Sequence, residues 1–141
     1  MLYQTTESVA RPQQQHRTRW LVQLHFVAFI AILIAWTIAL LVPVPKKTAA
    51  VVLGGEDPMF WFGKCLHIGA YTFLTVLGIA LPLTQKQRLW LLAGFVFHGA
   101  ATEFLQQFVE RGASVRDVIL DSIGVVIGWG VWSWALPRRA S

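Results

Sequence analysis

Ionisable and amide side chains gather in two stretches of an otherwise apolar chain. The longer stretch runs from Thr102 to Gly128 (TEFLQQFVERGASVRDVILDSIGVVIG), and the shorter one is GKCLHIGAY, from Gly63 to Tyr71. Together they contain lysine, arginine, histidine, glutamate and aspartate, the residue types that bind charged ligands, coordinate metals and transfer protons. Any chemistry of this protein is therefore expected in these two stretches.

The composition predicts a membrane protein embedded in a lipid bilayer. Of the 141 residues, 55% are hydrophobic and only 13% are charged, and the mean hydropathy is +0.54. A soluble domain carries about a quarter charged residues, so a soluble fold is excluded.

The formal net charge of +5 does not indicate a nucleic-acid partner. The basic residues stand in short clusters beside the apolar runs, where the positive-inside rule and anionic lipid surfaces favour them. Cys65 is the single cysteine, so an intrachain disulfide is excluded.

Four apolar runs have the length of about twenty residues that a helix needs to cross the roughly 30 Å hydrocarbon layer. We predict an all-α integral membrane bundle of four transmembrane helices. A polar, basic tail (1–19) precedes the bundle (20–137), and a short basic tail (138–141) follows it. The predicted spans are 20–42, 63–83, 89–109 and 115–136.

The connections between the spans carry proline, glycine and charge. Residues 43–62 contain three prolines and a Gly54-Gly55 pair, so we expect an irregular segment whose aromatic end, Met59 to Phe62, lies along the membrane surface. Lys86 and Arg88 are expected in a tight turn that joins the second and third spans as an antiparallel hairpin.

A capping signal predicts the start of the fourth helix. Ser114-Val-Arg-Asp117 matches a capping box, so Ser114 is expected to be the N-cap residue.

The basic residues favour an orientation with both termini in the cytoplasm, in a bacterial cytoplasmic membrane. Seven of the twelve fall on the side of the termini, against five on the other side. Three of those five, Lys64, Arg111 and Arg116, lie among acids and can serve a site rather than orientation.

Each of the last three helices is expected to carry one polar stripe near the same, outer end of the bundle, because residues three and four apart share a helix face. An unpaired charge at the bilayer centre costs about 2.5–3.5 kcal/mol, so the stripes should face one another rather than lipid. We call the resulting cluster the polar cup. Its members are Lys64, His67, Tyr71, Glu103, Gln106, Arg111, Arg116, Asp117 and Asp121.

Small residues share the faces that carry the polar stripes. Gly99 lies on the same face as Glu103, while Gly124 and Gly128 lie on the same face as Asp121. Glycines at these positions let helix backbones approach closely, so we expect them to be packing residues below the polar cup.

The residues of the polar cup leave several roles open. The charges can pair with one another and set the helix register without binding a ligand. His67, Glu103, Asp117 and Asp121 are suitable metal-ligand types, but basic neighbours compete and no tight ligand spacing is present, so we predict neither a metal nor a cofactor. Glu103 and His67 could supply an acid and a base, but no nucleophile motif accompanies them, so an enzyme is only the third alternative.

Two further histidines are expected outside the polar cup. His98 lies on the face of the third helix opposite Glu103, and His25 lies near the cytoplasmic end of the first helix. Both are predicted to form hydrogen bonds between helices, because a lone histidine is a weak sign of a haem or chlorophyll-type ligand.

The order and spacing of these residues resemble the VanZ-like family of small membrane proteins. The matching segments are K-x-x-H-x-x-x-Y from Lys64, E-x-x-Q from Glu103, R-x-x-S-x-x-D from Arg111 and G-x-x-x-G from Gly124. The resemblance covers about half of the chain, from residue 63 to residue 132.

Two positions depart from the family pattern. This chain has Gly63 where the family usually has an acid, and Asp121 where the family usually has asparagine. The first change removes a partner for Lys64, and the second adds a negative charge to the polar cup.

The resemblance implies a multi-span membrane protein rather than one activity. The family's namesake is associated with low-level resistance to the glycopeptide teicoplanin by a mechanism that is not established, and other members occur in many contexts. A polar cup that faces outward is suited to bind a lipid headgroup or a cell-envelope precursor, which is our first hypothesis. The alternative is an accessory subunit docked on a larger membrane protein complex, such as an energy-transducing or pigment-containing one.

Overall fold

The computed structural model describes residues 5–42, 56–109 and 114–135, and within these ranges the regular structure is entirely α-helical. The predicted all-α bundle of four helices is therefore confirmed. The helices are α1 (Thr5–Leu41), α2 (Glu56–Ile79), α3 (Gln85–Gln106) and α4 (Val115–Ala135).

Three of the described helices are long and apolar enough to cross a membrane. The candidate spans are Arg19–Leu41, Phe60–Ile79 and Val115–Ala135. The remaining helix, α3, has 22 residues and so meets the length requirement, but its inward polar residues lower its hydropathy. Glu103 and Gln106, for example, are both buried within the bundle. A transmembrane position for α3 stays a prediction.

The structure changes the predicted start of α1. The predicted tail, residues 1–19, is helical from Thr5 onward and continues without a break into the first apolar run. This stretch contains no glycine, but Pro12 lies inside the helix, where proline is unfavourable, so helical propensity alone does not explain why the helix extends beyond its apolar part.

The aromatic run Met59 to Phe62 also belongs to a helix, whereas the sequence predicted a surface segment there. Helix α2 begins at Glu56, seven residues before the predicted boundary at Gly63. Pro58 is compatible with this start because it lies in the first turn, where a backbone N–H needs no helical partner. Asp57 is favoured in the same turn by the positive end of the helix.

A capping box sets the start of α3. Thr84 is the N-cap: its Oγ1 accepts the Gln87 N–H at 3.3 Å, and Gln87 Oε1 accepts the Thr84 N–H at 2.9 Å. Lys86 and Arg88 therefore lie in the first turn of α3, and the prediction that they form the turn between helices was wrong. The T-x-x-Q signal is present in the sequence and predicts this start correctly.

Contacts between helices give the directions of the bundle. Helices α2 and α3 form the predicted antiparallel hairpin. Helices α2 and α4 run parallel, because Lys64 contacts Asp117 near the start of both helices, and Thr75 lies against Gly128 further along both.

Helix α1 runs antiparallel to α2 and closes the bundle. Near the start of the apolar part of α1, His25 Nε2 donates to the Leu77 carbonyl at 3.0 Å, one of the last carbonyls of α2. Further along α1, the Trp36 ring lies 6.1 Å from the His67 ring. The expected hydrogen bond of His25 between helices is therefore present.

The core lies where the four helices meet and consists mainly of aromatic and aliphatic side chains. Phe95 packs edge-on against Phe29 at 6.1 Å and against Tyr71 at 6.5 Å between ring centroids. The buried members of this core are Phe29, Tyr71, Leu74, Leu81, Phe95 and Val125.

The two ends of the bundle differ in composition. At one end the α2–α3 turn lies beside the start of the apolar part of α1 and the end of α4, where the Arg88 guanidinium stands 5.8 Å from the Trp132 ring. The residues of the polar cup lie at the other end. Cytoplasmic termini, and hence an outward-facing polar cup, stay a prediction.

Candidate functional site

Three helices bring the described residues of the polar cup together. Two pairs join α2 to α4. Lys64 Nζ forms an ion pair with Asp117 Oδ1, and His67 Nδ1 donates to Asp121 Oδ1 at 2.8 Å. Each pair lies one helical turn from the other on both helices, as residues spaced by three and four must.

Glu103 joins α3 to the start of α4. The side chain is buried, and its Oε2 accepts the backbone N–H of Ser114 at 2.8 Å. Gln106, one turn further along α3, is buried as well. Thus the third polar stripe also faces inward, which avoids the cost of exposing it to lipid.

Ser114 directly precedes α4, as the sequence predicted, but the predicted capping box is not formed by Asp117. The Asp117 carboxylate pairs with Lys64, and Glu103 from another helix accepts the Ser114 N–H that Asp117 was expected to accept. A tertiary contact has replaced a local one, since the carboxylate of Glu103 supplies the same acceptor.

Of the two arginines predicted in the polar cup, only Arg116 belongs to the residues that the structure describes. The Arg116 side chain is exposed and lines a groove on the outside of the α2–α4 pair. Arg111 lies outside the described residues.

The three predicted packing glycines stand at close helix contacts. A Cβ at Gly99 would lie 2.8 Å from Asp121 Oδ2, and a Cβ at Gly124 would lie 2.6 Å from the Ile68 carbonyl oxygen. A Cβ at Gly128 would lie 2.6 Å from Thr75 Cβ. At Gly124 and Gly128, where backbone atoms of α2 lie this close, only glycine allows the approach without a shift of the neighbouring helix, whereas a Cβ at Gly99 would displace the Asp121 side chain.

A hydrogen-bond chain continues from the polar cup towards α1. Thr37 Oγ1 donates to the Leu33 carbonyl at 2.8 Å, so it accepts from His98 Nε2 at 2.9 Å. His98 Nδ1 is then an acceptor, and Tyr71 Oη donates to it at 2.8 Å. The chain therefore assigns the protonated nitrogen of His98 and the direction of each bond.

His98 thus lies closer to the site than the sequence indicated. Opposite faces of α3 both contact other helices, so a residue opposite Glu103 still lies inside the bundle. Its predicted role in hydrogen bonding between helices is present. Sequence reasoning missed Thr37, whose only signal is a hydroxyl within an apolar run.

The polar residues form a column that enters the bundle. Along α2, Lys64, His67 and Tyr71 occupy successive turns of one face. Seven residues at 1.5 Å each give a depth of about 10 Å, roughly a third of the hydrocarbon layer.

A groove of about 330 Å³ opens beside the polar cup on the outside of the α2–α4 pair. Its walls are aromatic and aliphatic, and its two charged residues are Lys64 and Arg116. The full lining is Phe60, Trp61, Lys64, Cys65, Ile68, Arg116, Ile119 and Leu120.

A larger groove, of about 580 Å³, lies at the opposite end, between α1 and the α2–α3 turn. Gln23 is the only amide in its lining and no charged side chain lines it, so we regard it as a lipid-facing gap between helices rather than as a site for chemistry.

Three residues of the polar cup have the types and the proximity that metal binding needs. His67, Glu103 and Asp117 each offer one ligand atom, and these three atoms lie within 4.8 Å of one another. The arrangement brings one ring nitrogen and two carboxylate oxygens from three different helices close together.

Comparisons with known proteins agree with the resemblance that the motifs indicate. A family model described as VanZ/LLP1 matches residues 1–136, nearly the whole chain and a longer range than the motifs alone cover. No curated protein and no solved structure matches the chain.

Proposed function

The chain belongs to the VanZ/LLP1 family, and on that premise we propose that it binds a lipid with a phosphate-bearing headgroup in the groove between α2 and α4. Family membership and the apolar helices make it an integral membrane protein, so lipids surround it throughout the bilayer. The observation that carries the proposal is an apolar groove beside two cations.

The apolar part of the groove suits a hydrocarbon chain. Cys65 and Ile68 of α2 and Ile119 and Leu120 of α4 line it below the charged residues, along the same direction in which lipid chains extend. A volume of about 330 Å³ lies within the usual range of small-molecule sites, about 300–1,000 Å³.

The two cations suit a phosphate. Arg116 is exposed, and its planar guanidinium can donate two parallel hydrogen bonds to phosphate oxygens. Lys64 adds a second positive charge, which Asp117 holds in place together with the Phe60 ring, 5.0 Å from Lys64 Nζ to the ring centroid. Asp117 thereby positions a cation at the edge of the groove.

The class of lipid follows from the proposed location. With cytoplasmic termini in a bacterial cytoplasmic membrane, the groove opens at the outer leaflet. Phospholipids and lipid-linked cell-envelope precursors share the chemistry of a phosphate on an apolar chain. The experiment below distinguishes these two sources.

The proposal is tested with the full-length protein in nanodiscs of phosphatidylcholine, to which phosphatidylglycerol or a polyprenyl diphosphate is added. Native mass spectrometry measures the fraction of protein that retains each lipid. Arg116→Gln is compared with Arg19→Gln, which removes an exposed arginine at the opposite end of the bundle. A basic residue near an anionic lipid contributes about 1 kcal/mol, so Arg116→Gln should weaken retention about fivefold.

Equal retention by Arg116→Gln and Arg19→Gln would refute the proposal. Preference for phosphatidylglycerol would identify a phospholipid site, and preference for the polyprenyl diphosphate would identify an envelope-precursor site. An accessory subunit is the alternative function, and extraction from native membranes tests it. A large stoichiometric assembly without bound lipid would favour the accessory role.

A further inference from the structure

The inner side of the polar cup has more negative charge than the described cations balance. Glu103, Asp117 and Asp121 are three buried carboxylates. Facing them within the described part of the bundle are the ammonium of Lys64 and the imidazole of His67. In the proposed lipid site Lys64 faces the groove, so that site does not account for the negative charge inside the bundle.

Two of the buried carboxylate oxygens lack a hydrogen-bond partner among the described residues. Glu103 is 4% exposed and Asp121 is 1% exposed. Glu103 Oε2 accepts from Ser114, but Glu103 Oε1 has no partner, and neither does Asp121 Oδ2. Leaving a buried acceptor unsatisfied is costly, and more so when it is charged. The site therefore favours a bound positive species.

The geometry around Glu103 identifies where such a species would bind. A carboxylate oxygen of Glu103, one of Asp117 and a ring nitrogen of His67 lie within 4.8 Å of one another. Ligands bind a zinc ion at about 2.0–2.2 Å, so a small rotation of these side chains would bring all three into contact with one ion.

The hydrogen bond of His67 is compatible with metal binding. Its Nδ1 donates to Asp121 Oδ1 at 2.8 Å, which leaves Nε2 as the nitrogen that can bind an ion. A carboxylate that holds the other ring nitrogen of a ligating histidine is a recurrent feature of metal sites, because it fixes the tautomer and the ring orientation. Asp121 is the residue that occupies this position here.

We propose that His67, Glu103 and Asp117 bind a divalent transition-metal ion, with Asp121 positioning His67. One nitrogen and two carboxylate ligands favour zinc or a similar ion over calcium and magnesium, which prefer oxygen ligands alone. Three protein ligands leave a coordination position for water or for a ligand's oxygen. This inference does not depend on lipid binding.

Zinc binding by the full-length protein tests the proposal. The protein is purified in nanodiscs without a histidine tag, stripped with a chelator and titrated with Zn²⁺ against a competing fluorescent chelator. Elemental analysis gives the stoichiometry, and Co²⁺ absorption reports the coordination number. We expect one Zn²⁺ per chain, and at least tenfold weaker binding in Glu103→Gln and in His67→Gln.

The control variant is His25→Gln, because His25 donates a hydrogen bond at the opposite end of the bundle. It should leave zinc affinity unchanged. The proposal is overturned if the wild-type protein binds no zinc, or if folded Glu103→Gln and His67→Gln variants bind it as tightly as His25→Gln does.

A variant that is expected to raise zinc affinity tests the proposal even if Glu103→Gln and His67→Gln fail to fold. The ammonium of Lys64 competes with a metal for Asp117. Lys64→Met should therefore raise zinc affinity severalfold, while a purely structural ion-pair cluster predicts no such gain. Unchanged or weaker binding in Lys64→Met, measured on protein that elutes as a single species, would overturn the proposal.

Discussion

The parallel helices α2 and α4 are held together by different contacts at their two ends. Towards the end away from the polar cup, glycine lets the backbones meet, and Thr72 Oγ1 donates to the Gly124 carbonyl at 3.1 Å. At the polar cup, Lys64 pairs with Asp117 across the same interface. One end is held by close approach and the other by charge.

The comparison separates contacts that the fold requires from polar groups that the fold does not require. The glycine contacts fix the distance and register of α2 and α4 at little polar cost. If register were the only task, the same solution would serve at both ends. The polar cup instead contains buried carboxylate oxygens, such as Glu103 Oε1, that have no partner among the residues the structure describes, which a purely structural interface would avoid. This excess is the observation on which the proposed metal site rests.

The largest effect is expected from blocking the close approach. Gly128→Leu would place its Cβ 2.6 Å from Thr75 Cβ and force α2 and α4 apart. We expect a loss of about 3 kcal/mol or more in the free energy of unfolding, the upper range for overpacking. Reversible unfolding in mixed detergent micelles would measure it.

The matched control is Gly130→Leu, two residues away on the same helix, where a Cβ would meet nothing within 4 Å. Equal stability of the two leucine variants would show that the glycine contact does not set the helix distance, and would weaken the comparison.

A smaller loss is expected from Lys64→Met. The variant leaves the Asp117 carboxylate without its ammonium partner, and the two side chains are only 18% and 12% exposed. Breaking a fully buried pair costs about 3–5 kcal/mol, so this partly buried pair should cost about 2 kcal/mol. The same unfolding assay applies.

Lys86→Met serves as the control, because Lys86 is exposed at the other end of the bundle. Adding Asp117→Asn to Lys64→Met should recover part of the loss, since it removes the unpaired charge. No recovery in the double variant would mean that Lys64 stabilises the helix interface by packing rather than by charge.

The smallest effect is expected from Tyr71→Phe, which removes the hydroxyl that donates to His98 Nδ1 at 2.8 Å and keeps the ring. Hydrogen bonds between membrane helices contribute about 0.6 kcal/mol on average, so the loss should be of that size. A double-mutant cycle with Thr37→Val tests the proposed chain through His98. Strict additivity would show that Tyr71 and Thr37 do not act through the same histidine.

Much of the fold could be predicted because membrane helices leave strong local signals. The apolar runs gave the number of helices and their approximate positions. Boundaries were less accurate near helix breakers: Pro58 indicated an irregular segment up to Phe62, but α2 begins at Glu56 and contains Pro58 in its first turn. At Thr84 the T-x-x-Q pattern predicts the start of α3 correctly, whereas the basic residues beside it predict a turn that is not formed.

The inward direction of buried polar side chains such as Glu103 and Asp121 was predictable for a different reason. Charges in a membrane must face inward, so one polar stripe on each of three helices implies a cluster. The partners within the cluster did not follow from the stripes. Asp117 matched a local capping box, and only the position of α3 shows that Glu103 accepts the Ser114 N–H instead.

By itself the sequence determined an all-α membrane protein, the inward faces of its helices and the residue types available to a site. Helix periodicity and the cost of charge in lipid are properties of each segment alone. They can therefore be inferred from the sequence without knowing which helices pack together. Only the tertiary structure decided that α2 and α4 pack directly against each other, with α3 beside them. That arrangement brings His67, Glu103 and Asp117 within 4.8 Å of one another, because rotation and distance between helices are set by mutual packing.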